Sequence, residues 1–97
     1  MYYHELARII QKVLEGVIGK EQLMEFLMDT FDCEKICDSN DLLVSDAYFC
    51  LMHYASGEEN IVAEEWKYFL ECFQGIRKYN MNEKNRIIAP YITKVGL

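Results

Sequence analysis

Residues 42–55 read LLVSDAYFCLMHYA, and only Ser45, Asp46 and His53 are clearly polar in that run. A helix that is apolar nearly all round is a buried helix. The stretch Leu42–Ala55 therefore predicts the central rod of a small helical domain, with the other segments packed on it. Ser39, Asn40 and Asp41 offer N-caps just before it, and Gly57 offers a stop just after it.

Outward from the rod, helical periodicity recurs on both sides. A first helix is predicted from Tyr3 to Val17, with Leu6, Ile9, Ile10, Val13, Leu14 and Val17 on one face. A second is predicted from Lys20 to Asp32, with Leu23, Met24, Leu27, Met28 and Phe31 facing inward. Its other face carries Glu21, Glu25, Asp29 and Asp32 as one acidic stripe. Cys33–Asn40 reads as a connection with a helical turn around Lys35–Cys37. A fourth helix, Val62–Gln74, repeats Val62, Trp66, Phe69, Leu70 and Phe73, and places Lys67 between Glu64 and Glu71. A short fifth, Asn82–Ala89, is expected to start on Asn82 and to stop at Pro90, leaving 90–97 as a loosely held tail. The expectation is an all-α single domain over residues 1–97. It has four main helices and a short fifth in an antiparallel, bundle-like array, because short connections favour antiparallel neighbours.

Composition agrees. A chain of 97 residues with 52% hydrophobic content can bury roughly 60–70% of its unfolded surface. No apolar run approaches the roughly 18–20 residues of a membrane span, and MYYHELARIIQKVLEG has charges inside its apolar pattern, unlike a secretory signal. The four cysteines, Cys33, Cys37, Cys50 and Cys72, fall in or beside predicted helices. Free thiols and a cytoplasmic location are expected, since disulfide frameworks staple loops of secreted domains.

The net charge of −6 is unevenly spread: residues 1–20 carry +1, residues 21–71 carry −11 and residues 72–97 carry +4. An acidic middle argues against nucleic acid as the main ligand, because phosphates need a basic footprint. Like charges at i,i+4 cost about 0.2–0.5 kcal/mol per pair, and anions near a helix C-terminus oppose its dipole. Glu34, Asp38, Asp41 and Asp46 extend the same potential. Either a basic partner is drawn to the stripe, or the stripe keeps an apolar-rich protein soluble.

The remaining constellations have plainer readings. Asp29, Asp32, Glu34, Asp38 and Asp41 lack the alternation and glycine of a calcium loop. Cys33-x-x-x-Cys37 is not a zinc or redox C-x-x-C pair, and the thiols are expected to be buried as small hydrophobes. Asp46, Cys50 and His53 share one helix face, yet reactive groups side by side on a continuous helix leave no room for substrate and oxyanion hole. His53 is expected to be partly buried and satisfied. No catalytic residue, cofactor or metal is expected. Tyr48, Tyr54, Tyr68 and Tyr79 have polar ends suited to a wet interface rim.

The layout of a first helix, a G-K-E-Q start to the second, an acidic connection, the S-D-A-Y-F-C-L-M-H-Y helix and E-E-W-K-Y-F-L-E-C-F resembles the small, acidic, all-helical immunity proteins of bacteria. The colicin-D-type and contact-dependent growth inhibition immunity proteins are the nearest in layout, over roughly residues 5–75. That resemblance implies a protein that blocks a nuclease toxin by covering its active site with acidic side chains that mimic phosphates. Glu21, Glu25, Asp29 and Asp32 would then supply charge complementarity. Glu34, Asp38 and Asp41 would form the rim, and a nearby tyrosine the packed anchor. The basic stretch Arg77–Lys94 lies outside the family pattern. The expected partner is a basic protein toxin, with no nucleic acid or membrane, and the free chain is expected to be a monomer or weak homodimer. The alternative is a self-associating structural or regulatory module.

Overall fold

A computed structural model describes residues 2–96, with side chains through Tyr91. The described chain is all-α: α1 (Tyr2–Glu15), α2 (Lys20–Thr30), α3 (Cys33–Asp38), α4 (Leu42–Ser56), α5 (Ala63–Phe73) and α6 (Met81–Gly96). The apolar rod is α4, and α1, α2, α3 and α5 all pack against it. The second axis of the core is α5, which packs on α1 and carries α6. Leu6 and Ile10 of α1, Leu23 and Leu27 of α2, Ile36 of α3, Leu51 of α4 and Phe69 of α5 are fully buried together.

Local signals explain most boundaries. Asp41 caps α4 by accepting a hydrogen bond from the Val44 amide at 3.2 Å. At the other end Gly57, with φ +84°, lets its own N–H reach Tyr54 O and that of Glu58 reach His53 O. This closes the last turn in the paired pattern that needs a left-handed residue. Gly16 (φ +71°) ends α1 in the same way, with the Val17 amide bonded to Lys12 O. The expected continuation of α1 through Val17 therefore fails, and Val17 is 65% exposed.

Two further boundaries are set by tertiary contacts. The second helix stops at Thr30, two residues short of Asp32, because Phe31 turns extended (φ −118°, ψ 148°). Its ring packs among Tyr2, Phe26 and Tyr48, with centroids 5.9–6.1 Å away. Asp32 then caps α3, its Oδ1 accepting from the Glu34 amide at 2.9 Å. The expected single turn at Lys35–Cys37 is thus a six-residue helix.

The sixth helix also departs from expectation. Its cap is Asn80 and not Asn82: the Asn80 Oδ1 accepts from the Glu83 amide at 3.0 Å. Tyr68 pins that cap, its hydroxyl donating to Asn80 O at 3.0 Å and accepting from Asn80 N at 2.8 Å. The helix runs through Pro90 to Gly96. Pro90 removes one N–H, but Arg86 and Pro90 are both exposed, so water can solvate the carbonyl left without a donor. The tail expected over 90–97 is helical through Gly96, and Leu97 lies outside the described residues.

Candidate functional site

The acidic segment is where the chain's charge resides. Residues 21–41 hold seven carboxylates and one lysine, a formal −6 that equals the net charge of the entire protein. Glu21, Glu25, Asp29, Asp32, Glu34 and Asp38 are all exposed, and Asp41 is half-buried. None of the seven forms an ion pair among the described residues, whereas Asp46, Glu59, Glu65, Glu71 and Glu83 all do.

The seven do not share one stripe. Glu21, Glu25 and Asp29 lie along α2 opposite buried Leu23 and Leu27. Asp32 leaves that line, because α2 has ended, and serves as the cap of α3. Glu34 sits in the first turn of α3, where the helix dipole favours an anion. Asp41 caps α4 and also accepts from the Tyr3 hydroxyl at 2.8 Å. Capping and dipole effects thus account for Glu21, Asp32, Glu34 and Asp41. Glu25, Asp29 and Asp38 have no such local reason.

Sequence periodicity placed Met28 on the inward face of α2, and here the structure corrects it: Met28 is 69% exposed. It lies three positions after Glu25 and immediately before Asp29, so a large flexible apolar side chain stands within the acidic surface. Periodicity could not expose it, since positions 23, 24, 27 and 28 all fit one apolar arc and only the docking of α2 on α4 selects among them. The tyrosines expected at a rim have internal duties instead. Tyr68 and Tyr48 are buried, Tyr79 donates to Asp46 Oδ2 at 2.7 Å, and Lys20 covers the Tyr54 ring at 4.9 Å.

Asp46 does not extend the acidic potential. It belongs to a polar cluster beneath α6, where the Lys84 ammonium lies 2.5 Å from Asp46 Oδ2 and 2.8 Å from Glu65 Oε2. The Lys84 ammonium also lies 4.9 Å from the Phe69 ring centroid. Lys84 is only 4% exposed. The nearby Cys50 thiol points at Asp46 Oδ1 (3.6 Å) and Glu65 Oε2 (3.4 Å). Burial first, then the two carboxylates, push that thiol far above its ordinary range. This is the reverse of what a nucleophile needs. His53 turns away to Glu59, 3.3 Å from Nδ1, so Asp46, Cys50 and His53 do not converge. Asp46, Cys50 and Glu65 place three potential ligand atoms within 4.8 Å of one another, but the Lys84 ammonium fills the position a cation would take.

Two residues of the basic C-terminal stretch are absorbed by this architecture. Arg77 pairs with Glu71 (3.0 Å) and Glu83 (3.2 Å), and Lys84 is internal. Among the four cysteines, Cys72 is buried and Cys50 half-buried, but Cys33 and Cys37 are exposed, against the expectation for both. Among the described residues no helix is long and apolar enough to cross a membrane.

No family model matches the chain, and no match is found among curated proteins or solved structures.

Proposed function

We propose that the chain is a non-enzymatic inhibitor that binds a basic protein through the α2–α3 surface, in the manner of immunity proteins that neutralise nuclease toxins. One observation carries this reading. The protein pairs Asp46, Glu65, Glu71 and Glu83 with its own lysine and arginine, yet leaves all seven carboxylates of residues 21–41 without an ion pair among the described residues. Exposed Met28 supplies the apolar contact such a surface needs. Methionine adapts to a partner's shape, and a central apolar anchor with a charged rim is the usual anatomy of an interface. Charge of this density would speed association and make binding strongly salt-dependent.

The test is capture from a lysate of the source organism at low and high salt. Wild type is compared with Glu25→Lys, Asp29→Lys, Asp38→Lys, three positions that hold no cap. Retention of one basic protein by wild type at low salt, and its loss by the reversed form, supports the reading. Equal retention by both folded forms refutes it.

A self-associating module is the second reading, favoured by Leu42 (70% exposed) and Ile76 (71% exposed), large apolar side chains outside α2. Sedimentation decides it: a stable dimer of the free chain, lost on Leu42→Ser with Ile76→Ser, would replace the inhibitor reading.

A further inference from the structure

The cluster beneath α6 holds a lysine against two carboxylates in a way the surface pairs do not. Lys84 Nζ lies 2.5 Å from Asp46 Oδ2 and 2.8 Å from Glu65 Oε2. Lys84 and Glu65 are buried, and the Asp46 side chain is 15% exposed. The fully buried Phe69 walls the lysine, its ring centroid 4.9 Å from Nζ. Both Asp46 oxygens face a further donor. The Tyr79 hydroxyl reaches Oδ2 at 2.7 Å, and the Cys50 thiol points at Oδ1 from 3.6 Å. Arg77 also bridges two carboxylates, Glu71 and Glu83, but those three side chains are 35–41% exposed, and a guanidinium does not give up its proton.

We infer that Lys84 and Asp46 are a site of self-modification, condensing to an amide between Nζ and Cγ with loss of one water, while Glu65 carries a proton. Free amines and carboxylic acids do not condense in neutral water, because both are ionised there. Placement and burial change both conditions. With a 2.5 Å contact to Oδ2 and a C–O bond of about 1.2 Å, Nζ stands at most about 3.7 Å from Cγ. Reacting groups held near 3–3.5 Å gain effective molarities of about 10⁵–10⁸ M. Burial meanwhile favours the neutral amine and the neutral acid over their ions.

The atoms and charges balance without an oxidant or a reductant. The cluster starts as one ammonium and two carboxylates. One proton passes from Nζ to Asp46 Oδ2, leaving an amine beside a carboxylic acid. The nitrogen lone pair attacks Cγ, forming the N–C bond, and the carbonyl electrons move onto Oδ1, towards which the Cys50 thiol points. A second proton leaves the nitrogen for Glu65 Oε2, which lies within the reach of a general base. Glu65 delivers it to Oδ2, the Cγ–Oδ2 bond breaks, and water departs, helped by the Tyr79 hydrogen bond. Of the three ammonium hydrogens, one stays on the amide and two leave in the water. Glu65 ends as the carboxylate it began, and the net charge of the cluster is −1 before and after.

The amide ties α4 to α6 across 38 residues, by a bond that neither salt nor pH loosens. Chains that have not condensed keep the ion pair and its titration. The inference is independent of the α2–α3 surface.

The experiment is intact mass measurement of wild type under denaturing conditions, freshly purified and after prolonged incubation just below its unfolding midpoint. A species lighter by one water is expected to accumulate. Trypsin should then give a branched peptide joining 36–67 to 79–86, because Lys84 is no longer cleaved, and fragmentation should place the bond on Asp46. Lys84→Met should lose no water. Glu65→Gln should condense about a hundredfold more slowly, the usual effect of removing a general base, with circular dichroism showing both variants helical. Asp46→Asn should reach the same product mass as condensed wild type, by losing ammonia in place of water. Wild type that keeps its full mass throughout overturns the site. Equal water loss in Lys84→Met also overturns it, since an aspartate would then be cyclising on its own backbone. A bond mapped to Glu65 overturns the choice of Asp46, and an unchanged rate in folded Glu65→Gln removes Glu65 from the reaction.

Discussion

Lys84 on α6 reaches back 38 residues to hold its ammonium 2.5 Å from the Oδ2 of Asp46 on α4. The same nitrogen binds Glu65 of α5 at 2.8 Å, so one buried cation ties three helices. Tyr79 adds a third contact through Asp46. Since α6 packs chiefly on α5, this cluster is its main tie to the central rod.

Removing Lys84 would leave two buried carboxylates facing one another. Breaking a buried pair from one side costs about 3–5 kcal/mol, so Lys84→Ala is expected to lower the urea unfolding free energy by that order. Replacing Lys84, Asp46 and Glu65 together by Met, Leu and Leu should recover much of the loss, because no uncompensated charge remains. A triple variant as unstable as Lys84→Ala would show that uncompensated charge is not the source of the loss.

Alkaline stability follows from the same residues. Burial pulls the Lys84 pKa down, but the hydrogen bonds it donates to Asp46 and Glu65 outweigh it, and the net shift is upward. Tyr79 is also raised, by burial and then by Asp46. Groups raised in the folded state contribute stability that is complete below their unfolded pKa values, about 10 for Tyr and 10.4 for Lys. That stability is lost as pH rises through the folded values. The urea midpoint of wild type is expected to fall between pH 9 and about pH 11, and to fall less steeply in Lys84→Met, Tyr79→Phe. Parallel curves would contradict the assignment.

The Tyr68 hydroxyl holds both backbone groups of Asn80, the cap of α6. Tyr68→Phe keeps the ring but leaves those groups without their partner. Unsatisfied groups of this kind cost about 1–3 kcal/mol. Hydrogen exchange should localise the loss to the first turn of α6, with α2 protection unchanged.

Thiol accessibility divides the cysteines two and two. Cys33 and Cys37 are exposed, Cys72 is buried, and Cys50 is both half-buried and held in its thiol form by Glu65 and Asp46. A mild alkylating reagent at neutral pH should modify Cys33 and Cys37 in the native protein. Cys50 and Cys72 should react only after denaturation. Rapid native labelling of Cys50 would mean that the α4–α5–α6 cluster opens readily.

The sequence by itself determined the helical class, the central place of the 42–55 stretch, and the end marked by Gly57. Those are local signals, written in apolar periodicity and in residues that tolerate left-handed backbone. Charge imbalance was equally legible, because it is a count. What only the tertiary structure decided is which groups face each other. Phe31 ended α2 early because three rings from α1, α2 and α4 receive it. Met28 was left outside and Cys33 and Cys37 were exposed by how α2 and α3 dock on α4. Lys84 looked like part of a basic tail, because nothing local distinguishes a lysine bound for solvent from one whose two carboxylates lie 19 and 38 residues away. Long-range pairing of charges is settled by packing, and packing is not periodic.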